Sequence, residues 1–597
     1  GPWCHGEVVY GGFPQFIQKR QDKRTNSPAY LEKVRTIYKK YYEQSKDYFY
    51  QNNSVVIGIQ LENEYDGPDK DHLIVLRQLA LDVGFVLPLY TQTAWPINTV
   101  ASNKLLPMFG TYPEQPWDGR KTPLPTDNRF RIIDSRADDG IGSDILKPSK
   151  LGETTYDDFP FATCELGCGN QVTEHRRPVI SSDDAYSILL IYLARGMNLP
   201  GYYMYHGGRN PYGGLYQESK RTSYPNNCPV ISYDFQSPLS EYGYLRESYH
   251  RLKLIHYFLQ CFGSNFALTQ SMFAQKTGTQ LDVKTAVRIN ENGEGYVLVN
   301  NYQRLDPFED IESGTLTLLQ NGATTTVPLP SVPCGSSILF PFRFTFHGFT
   351  FLYITAQPIC TVQENGIEKL YLFTPDGVDC TFEADGDFET QATQNGDKYE
   401  LPTYDESKPA ITFFTRGKPC EVYILSQKTA LDLWYVNDRV FFSKDTVLPY
   451  EDKVLLLKES SGNVPAITLE QEEPQRQRYD YYLYSRGEKA QYRLHVPQDA
   501  FESCEDIRLE CAFSGNAVQI YAAGVLMADY FNIDGTLTIG LRRFKQEVEN
   551  GTPIIIKLAA MSKHKKVYLE RELERDTASL AIRKVTVIER TAQSVWH

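Results

Sequence analysis

At 597 residues the chain is too long for one domain, and its length predicts about three to five. Hydrophobic residues make up 41% of it, which allows sizeable cores and excludes a disordered chain. The net charge of -13 argues against nucleic acid, whose binding rests on Lys and Arg, and favours a neutral partner. No apolar run reaches the roughly 18 residues of a membrane span, so no transmembrane segment is expected. The 41 Tyr and 31 Phe fit either β-strands or rings that stack on sugars.

Residues 1–262 read as alternating helix and strand. Ser27-Pro28 places an N-cap and a first-turn proline before a helix carrying Leu31, Val34, Tyr38, Tyr41 and Tyr42 at helical spacing. A buried-strand run follows over 54–61 and ends in Glu62-Asn63-Glu64. Pro68-Asp69 opens the next helix, with Leu73, Leu76, Ala80 and Val83 on one face. Short strands are predicted at 86–90 and 107–110, and a further one at 160–164 leads to Glu165. A helix over Asp183 to Arg195 and a strand over Asn198 to Tyr205 complete the series. Repeated βα units with polar residues at the strand ends describe a parallel α/β fold, whose active face lies at those ends.

From 263 onward helical periodicity mostly disappears. Short alternating segments such as 295–300 and 517–521, separated by turn residues, predict β-sandwiches. Soft boundaries near 370 and 480 divide this part into 263–370, 371–480 and 481–597. Eleven cysteines, an odd number, leave at least one unpaired within the chain. Cys164 and Cys168 lack a second Cys or His pair at zinc spacing, so no metal is expected. Gly1-Pro2-Trp3 reads as a turn, with no signal-peptide pattern before it.

Two carboxylates carry the chemistry. Glu62 and Glu64 end an apolar strand, and alternation would place them on one side with Asn63 opposite. Glu165 ends another strand, before Leu166-Gly167-Cys168-Gly169. Either acid alone could simply solvate a loop. Together, on two strands of one barrel, they could flank a glycosidic bond, one protonated to donate and one ionised to attack.

Four segments sharpen this. They are Ile59-Gln60-Leu61-Glu62-Asn63-Glu64-Tyr65, Gly1 through Pro14, Tyr203-Met204-Tyr205-His206-Gly207-Gly208-Arg209-Asn210, and 232–241. In their order along the chain they resemble glycoside hydrolase family 35, the β-galactosidases. The resemblance implies an incomplete (β/α)8 TIM barrel at 1–262 followed by two or three β-sandwich or jelly-roll domains, the last at 481–597. It implies a retaining, exo-acting β-galactosidase that needs no cofactor and takes a carbohydrate substrate. Glu64 would be the acid/base and Glu165 the nucleophile. Glu7, Gly6, Asn63, Tyr203, Phe235 and Trp95 would bind the sugar, Asn63 at its 2-hydroxyl. Export from the cytoplasm follows from the same resemblance. The sequence leaves the oligomeric state open.

Departures from the family pattern touch the sugar rather than the reaction. Leu166-Gly167 stands where the family has an aromatic residue two positions after the nucleophile. Phe235 stands where it has a tyrosine binding the 6-hydroxyl, and a phenyl ring cannot donate that bond. Val8 replaces a common tryptophan. Another β-linked sugar, such as glucosamine, or an inactive carbohydrate-binding remnant are the competing readings. His5 and His206 could donate to hydroxyls or be structural, and Trp95 and Trp117 could stack on sugar or pack. Glu62 reads as structural, and Glu174 with Arg176-Arg177 as a solvated or ion-paired loop. The family barrel begins about three strands before Gly1, which predicts a truncated barrel and little activity for the chain alone.

Overall fold

A computed structural model describes residues 2–92, 104–136, 159–212, 216–219, 222–273, 284–320, 322–402, 404–415, 418–461, 465–474 and 489–594. Its first part is built on four parallel strands: β1 (Ile59–Asn63), β2 (Leu89–Gln92), β3 (Leu106–Thr111) and β4 (Ala162–Leu166), side by side in that order. Helix α1 (Pro28–Ser45) buries Tyr30, Val34 and Tyr38. Ser27 precedes it as predicted, but its hydroxyl donates to Asp22 at 2.6 Å instead of capping the helix. Helix α2 (His72–Val83) begins a few residues after Pro68-Asp69 and buries Leu73, Leu76, Leu79 and Ala80. It ends at Gly84, whose φ of 118° suits glycine and where a Cβ would meet the Tyr42 ring at 2.8 Å.

Two predicted strands differ. The run at 54–61 enters the sheet only at Ile59, whose N–H donates to Pro88 O at 3.0 Å. Val55 and Ile57 are 82% and 65% exposed, because the β2 ladder does not reach them. An apolar run signals burial, but the partner decides where pairing starts. The strand expected at 198–205 is reduced to single bridges, Leu199 with Ala162 and Tyr202 with Leu166. Between them the Thr163 hydroxyl takes the Gly201 N–H at 3.0 Å, so a side chain replaces a ladder bond.

Helix α3 (Ser182–Ala194) carries a capping box between Ser181 and Asp184 and is buried from Asp184 to Ala194. It packs on α4 (Glu247–Ala267) and on an eight-stranded sheet drawn from Gln270 to Leu401. Strand Ile367–Thr374 runs across residue 370, where a soft boundary was expected, and belongs to a neighbouring five-stranded sheet. The expected boundary near 480 lies outside the described residues.

Two further five-stranded sheets share a core of Ile507, Leu509, Val518, Ile520, Ile539 and Ile556. Hairpin strands β5 (Gly208–Arg209) and β6 (Ser232–Tyr233) lie against one of these sheets, which contains β7 (Ala517–Ala522) and β8 (Val525–Phe531). The molecule is thus an α/β region with parallel strands, followed by β-sheets. Among the described residues no helix is long and apolar enough to cross a membrane.

Candidate active site

Glu64 and Glu165 sit at the same end of the parallel sheet, just past β1 and at the end of β4. Strand alternation does not hold through Glu64. Its φ is 43°, a left-handed conformation uncommon for a glutamate, and it turns the side chain out of the strand. Glu62 stays in the core, fully buried, 3.2 Å from the Arg24 guanidinium, where burial pushes its carboxyl up to about 7. It is structural, as its sequence context predicts. Arg24 fixes the turn by donating to Asn63 O and Glu64 O, both at 3.0 Å, and to Asp66 at 2.8 Å. It also lies over the Trp3 ring at 4.4 Å.

The Glu165 charge is felt at Glu64. Burial is the largest cause holding the Glu64 carboxyl above the ordinary range, and the Glu165, Glu7 and Glu218 carboxylates add to it. Glu165 is also raised, chiefly by burial and then by Glu7, but it has a counterweight. The Tyr112 hydroxyl donates to Glu165 Oε2 at 2.9 Å, which favours the ionised form. Both carboxyls are thus held above the ordinary range, and the Tyr112 hydrogen bond favours ionisation of Glu165.

Glu7 lies close enough to perturb both acids and accepts from His5 Nδ1 at 2.8 Å. Its backbone is clasped by Gln217, whose N–H reaches Glu7 O at 2.6 Å. Tyr203 and Tyr233 share a hydroxyl–hydroxyl bond of 2.7 Å, and Phe235 packs edge-on to Tyr203 with centroids 5.3 Å apart. These rings form an apolar wall with polar tips, suited to one face of a sugar and its hydroxyls. Asn63 Oδ1 accepts from Gln60 at 2.9 Å, which orients its amide. Gly6 lies beside Glu7 in a turn, with open space where a side chain would go. Trp95 lies outside the described residues. Trp117 packs edge-on against Tyr112 at 5.4 Å, and His206 bonds the neighbouring Gly207 carbonyl.

Three contributors were not singled out from sequence. Tyr112 and Tyr233 act through partners 53 and 30 positions away, and no local pattern marks Tyr112. Glu218 is a fourth buried acid, accepting from Tyr216 at 2.8 Å and raised by burial and by Glu7. A signal for Tyr233 was present, since it lies inside the 232–241 segment.

The loop at 174–177 is ion-paired but not solvated. Arg176 is fully buried, bonded to Glu114 at 2.9 Å and stacked over Tyr568 at 4.1 Å. Arg177 donates to Asn516 O and Asn532 O, each at 2.9 Å, and Glu174 pairs with Lys565 at 2.5 Å. Arg177 docks the C-terminal sheets, while Arg176 also bonds Arg120 O and Thr122 O. The same sheets reach the site through Asp529 of β8, which accepts the N–H groups of Val230, Ile231 and Ser232 at 2.6, 2.7 and 3.1 Å. A cavity of about 70 Å³ lies behind Tyr233 and Phe235, closed by Tyr530 and Phe531 of β8.

The family model described as glycosyl hydrolases family 35 matches residues 1–259. Residues 1–259 belong to that family. Among curated proteins, the chain is similar to "Probable beta-galactosidase A" of Aspergillus fumigatus (strain CBS 144.89 / FGSC A1163 / CEA10). The two are 27% identical over 360 residues, covering 55% of this chain and 33% of that protein. "Beta-galactosidase" of Mus musculus is 26% identical over 261 residues, covering 42% of this chain and 35% of its own length. "Beta-galactosidase 8" of Arabidopsis thaliana is 28% identical over 255 residues, covering 41% of this chain and 25% of its own length. The chain thus spans about a third or less of the length of these relatives. As a glycosyl hydrolases family 35 segment, residues 1–259 contain both Glu64 and Glu165.

Proposed function

We propose that the protein is a retaining β-glycosidase, acting from the chain end as a β-galactosidase on oligo- or polysaccharides. The reading is carried by one observation: two carboxyl groups lie at the same end of a parallel sheet, the Glu165 charge helps raise Glu64, and among the described residues the Tyr112 hydroxyl bonds Glu165 while no hydroxyl bonds Glu64. Residues 1–262 are read as part of a (β/α)8 barrel. The names of the similar proteins support galactose as the sugar.

In this mechanism Glu165 attacks the anomeric carbon while Glu64 protonates the departing oxygen. Glu64, now a base, then activates water to release the sugar with retained configuration. Retention requires the two carboxyl groups about 5–5.5 Å apart. Glu7, Asn63 and Tyr203 bind hydroxyls, and Asn63 would tighten on the 2-hydroxyl as charge develops, which is where binding accelerates the reaction. The residues named need no cofactor for this sequence of steps. The family resemblance makes an exported enzyme the expected setting.

A second reading keeps the reaction and changes the sugar. Phe235 cannot donate to a 6-hydroxyl, and Glu218 adds a carboxylate beside Glu7. Both features would suit a different β-linked sugar, such as glucosamine.

The test is a panel of nitrophenyl β-glycosides, with proton NMR of the first-formed anomer. Release of β-galactose as the first product supports the proposal. Release of the α-anomer would overturn retention, and preference for another glycoside would overturn galactose. Glu165→Gln and Glu64→Gln should each abolish turnover on an unactivated glycoside, and wild-type rates in Glu165→Gln would remove it as nucleophile.

A further inference from the structure

Just past β6 the backbone turns left-handed at two consecutive residues. Phe235 and Gln236 have φ of 58° and 50°, and neither is glycine. This conformation is costly for a residue with a Cβ and persists only where the surroundings impose it. Three sets of contacts do so. Asp234 Oδ2 accepts the Gln236 N–H at 3.2 Å. Gly169 leaves room for both carbonyls, since a Cβ there would come within 2.3 Å of Phe235 O and 2.8 Å of Gln236 O. The Gln236 side chain then commits its whole amide to the segment that follows β4. Its Nε2 donates to Asn170 O at 3.2 Å and to Pro178 O at 3.1 Å, and its Oε1 accepts the Ile180 N–H at 3.1 Å. Only glutamine supplies two donors and an acceptor at this reach: asparagine is one methylene short, and glutamate would set a carboxylate against two carbonyls. The anchor is itself fixed, because Val179 donates to Glu570 Oε2 at 3.1 Å and accepts from Arg304 Nη1 at 3.0 Å.

We propose that Gln236 is a positioning residue for the wall formed by Tyr203, Tyr233 and Phe235, tying it to the segment after β4. The proposal rests on the reading of this wall as sugar-binding. Phe235 transmits the tie: it is buried, edge-on to Tyr203 at 5.3 Å and tilted against Tyr233 at 4.9 Å. The two tyrosines whose hydroxyls meet at 2.7 Å therefore lean on a ring that Gln236 holds in place. Glu165 ends β4, so the tie sets the wall and the carboxylate on one frame. A displaced wall loses contact with the sugar equally before and during the reaction, which makes the tie a determinant of affinity rather than of the chemical step.

The experiment measures KM and kcat on the nitrophenyl β-glycoside that the wild type hydrolyses best, with a thermal midpoint for each protein. The variants are Gln236→Met, Gln236→Gly, Phe235→Ala, and Phe235→Ala combined with Gln236→Met. Gln236→Met keeps the length and removes the three side-chain bonds. Its KM should rise about tenfold, the net effect of roughly one hydrogen bond, with kcat within about twofold of wild type. Gln236→Gly removes the same bonds but also the left-handed strain. It should match Gln236→Met in KM while its thermal midpoint is no lower. A residue serving stability alone would instead let KM return toward wild type as stability does. In the Phe235→Ala background, Gln236→Met should change KM by less than about twofold, because the ring it positions is gone. A wild-type KM in Gln236→Met, or a KM restored in Gln236→Gly, overturns the proposal. A tenfold loss in both backgrounds overturns the route through Phe235. A wild type that hydrolyses no β-glycoside overturns the reading of the site itself, an outcome distinct from the others.

Discussion

Asp529→Ala tests whether the C-terminal sheets build the site or merely lie beside it. Asp529 is fully buried and accepts three backbone N–H groups from 230–232, the segment leading into Tyr233 and Phe235. Three hydrogen bonds to a charged acceptor are worth about 4.5–9 kcal/mol gross. Burial opposes the ionised form and, with these bonds in place, leaves the carboxyl raised from 3.8 to about 6. Removing the side chain leaves three buried N–H groups unpaired, at about 1–3 kcal/mol each, and should destabilise the junction by roughly 3–9 kcal/mol. Amide hydrogen exchange read on peptides covering 230–232 should accelerate at least about thirtyfold, with a loss of affinity for sugar. Because the folded pKa lies above the unfolded one, this group's contribution is fully present below about 4 and declines as pH rises through about 6. Asp529→Asn should abolish that pH dependence while keeping part of the protection. Exchange at the wild-type rate in Asp529→Ala would falsify the reasoning.

Further outcomes follow from the same geometry. The pH profile of kcat/KM should be a bell with both limbs above the ordinary carboxylate range. Activity should fall at low pH as Glu165 takes a proton and at high pH as Glu64 loses one, since burial raises both and Tyr112 keeps Glu165 the lower. An optimum near about pH 4, where unperturbed carboxyls titrate, would contradict the burial of the pair. Glu114→Ala should cost about 3–5 kcal/mol in urea unfolding, because it leaves the buried Arg176 charge uncompensated. A midpoint within error of wild type would show that Arg176 is neutralised by its other bonds, to Arg120 O and Thr122 O. Gly169→Ala should disorder the segment at 235–236, since its Cβ would lie 2.3 Å from Phe235 O. Unaltered sugar affinity would show that this close approach is dispensable.

Apolar runs closed by acids were enough to place Glu64 and Glu165 at strand ends, and helical spacing was enough to find α1, α2 and α3, because burial of a periodic face is written locally. The pairing partner is not. It decided that β1 begins at Ile59, leaving Val55 and Ile57 to solvent, and that 198–205 contributes only bridges. Alternation placed Glu62 and Glu64 on one side, and a single left-handed residue separated them. Arg176-Arg177 with Glu174 read as a solvated or ion-paired loop; the structure shows the ion pairs, and partners from other segments bury both arginines. Tyr112 and Asp529 have the same history. Each acts through a hydrogen bond between segments that only the folded chain brings together, and such bonds leave no spacing in the sequence to read. The sequence by itself marked Glu64 and Glu165 as candidate acids. Tertiary structure decided how each is shifted, because that depends on burial and on neighbours contributed by other strands.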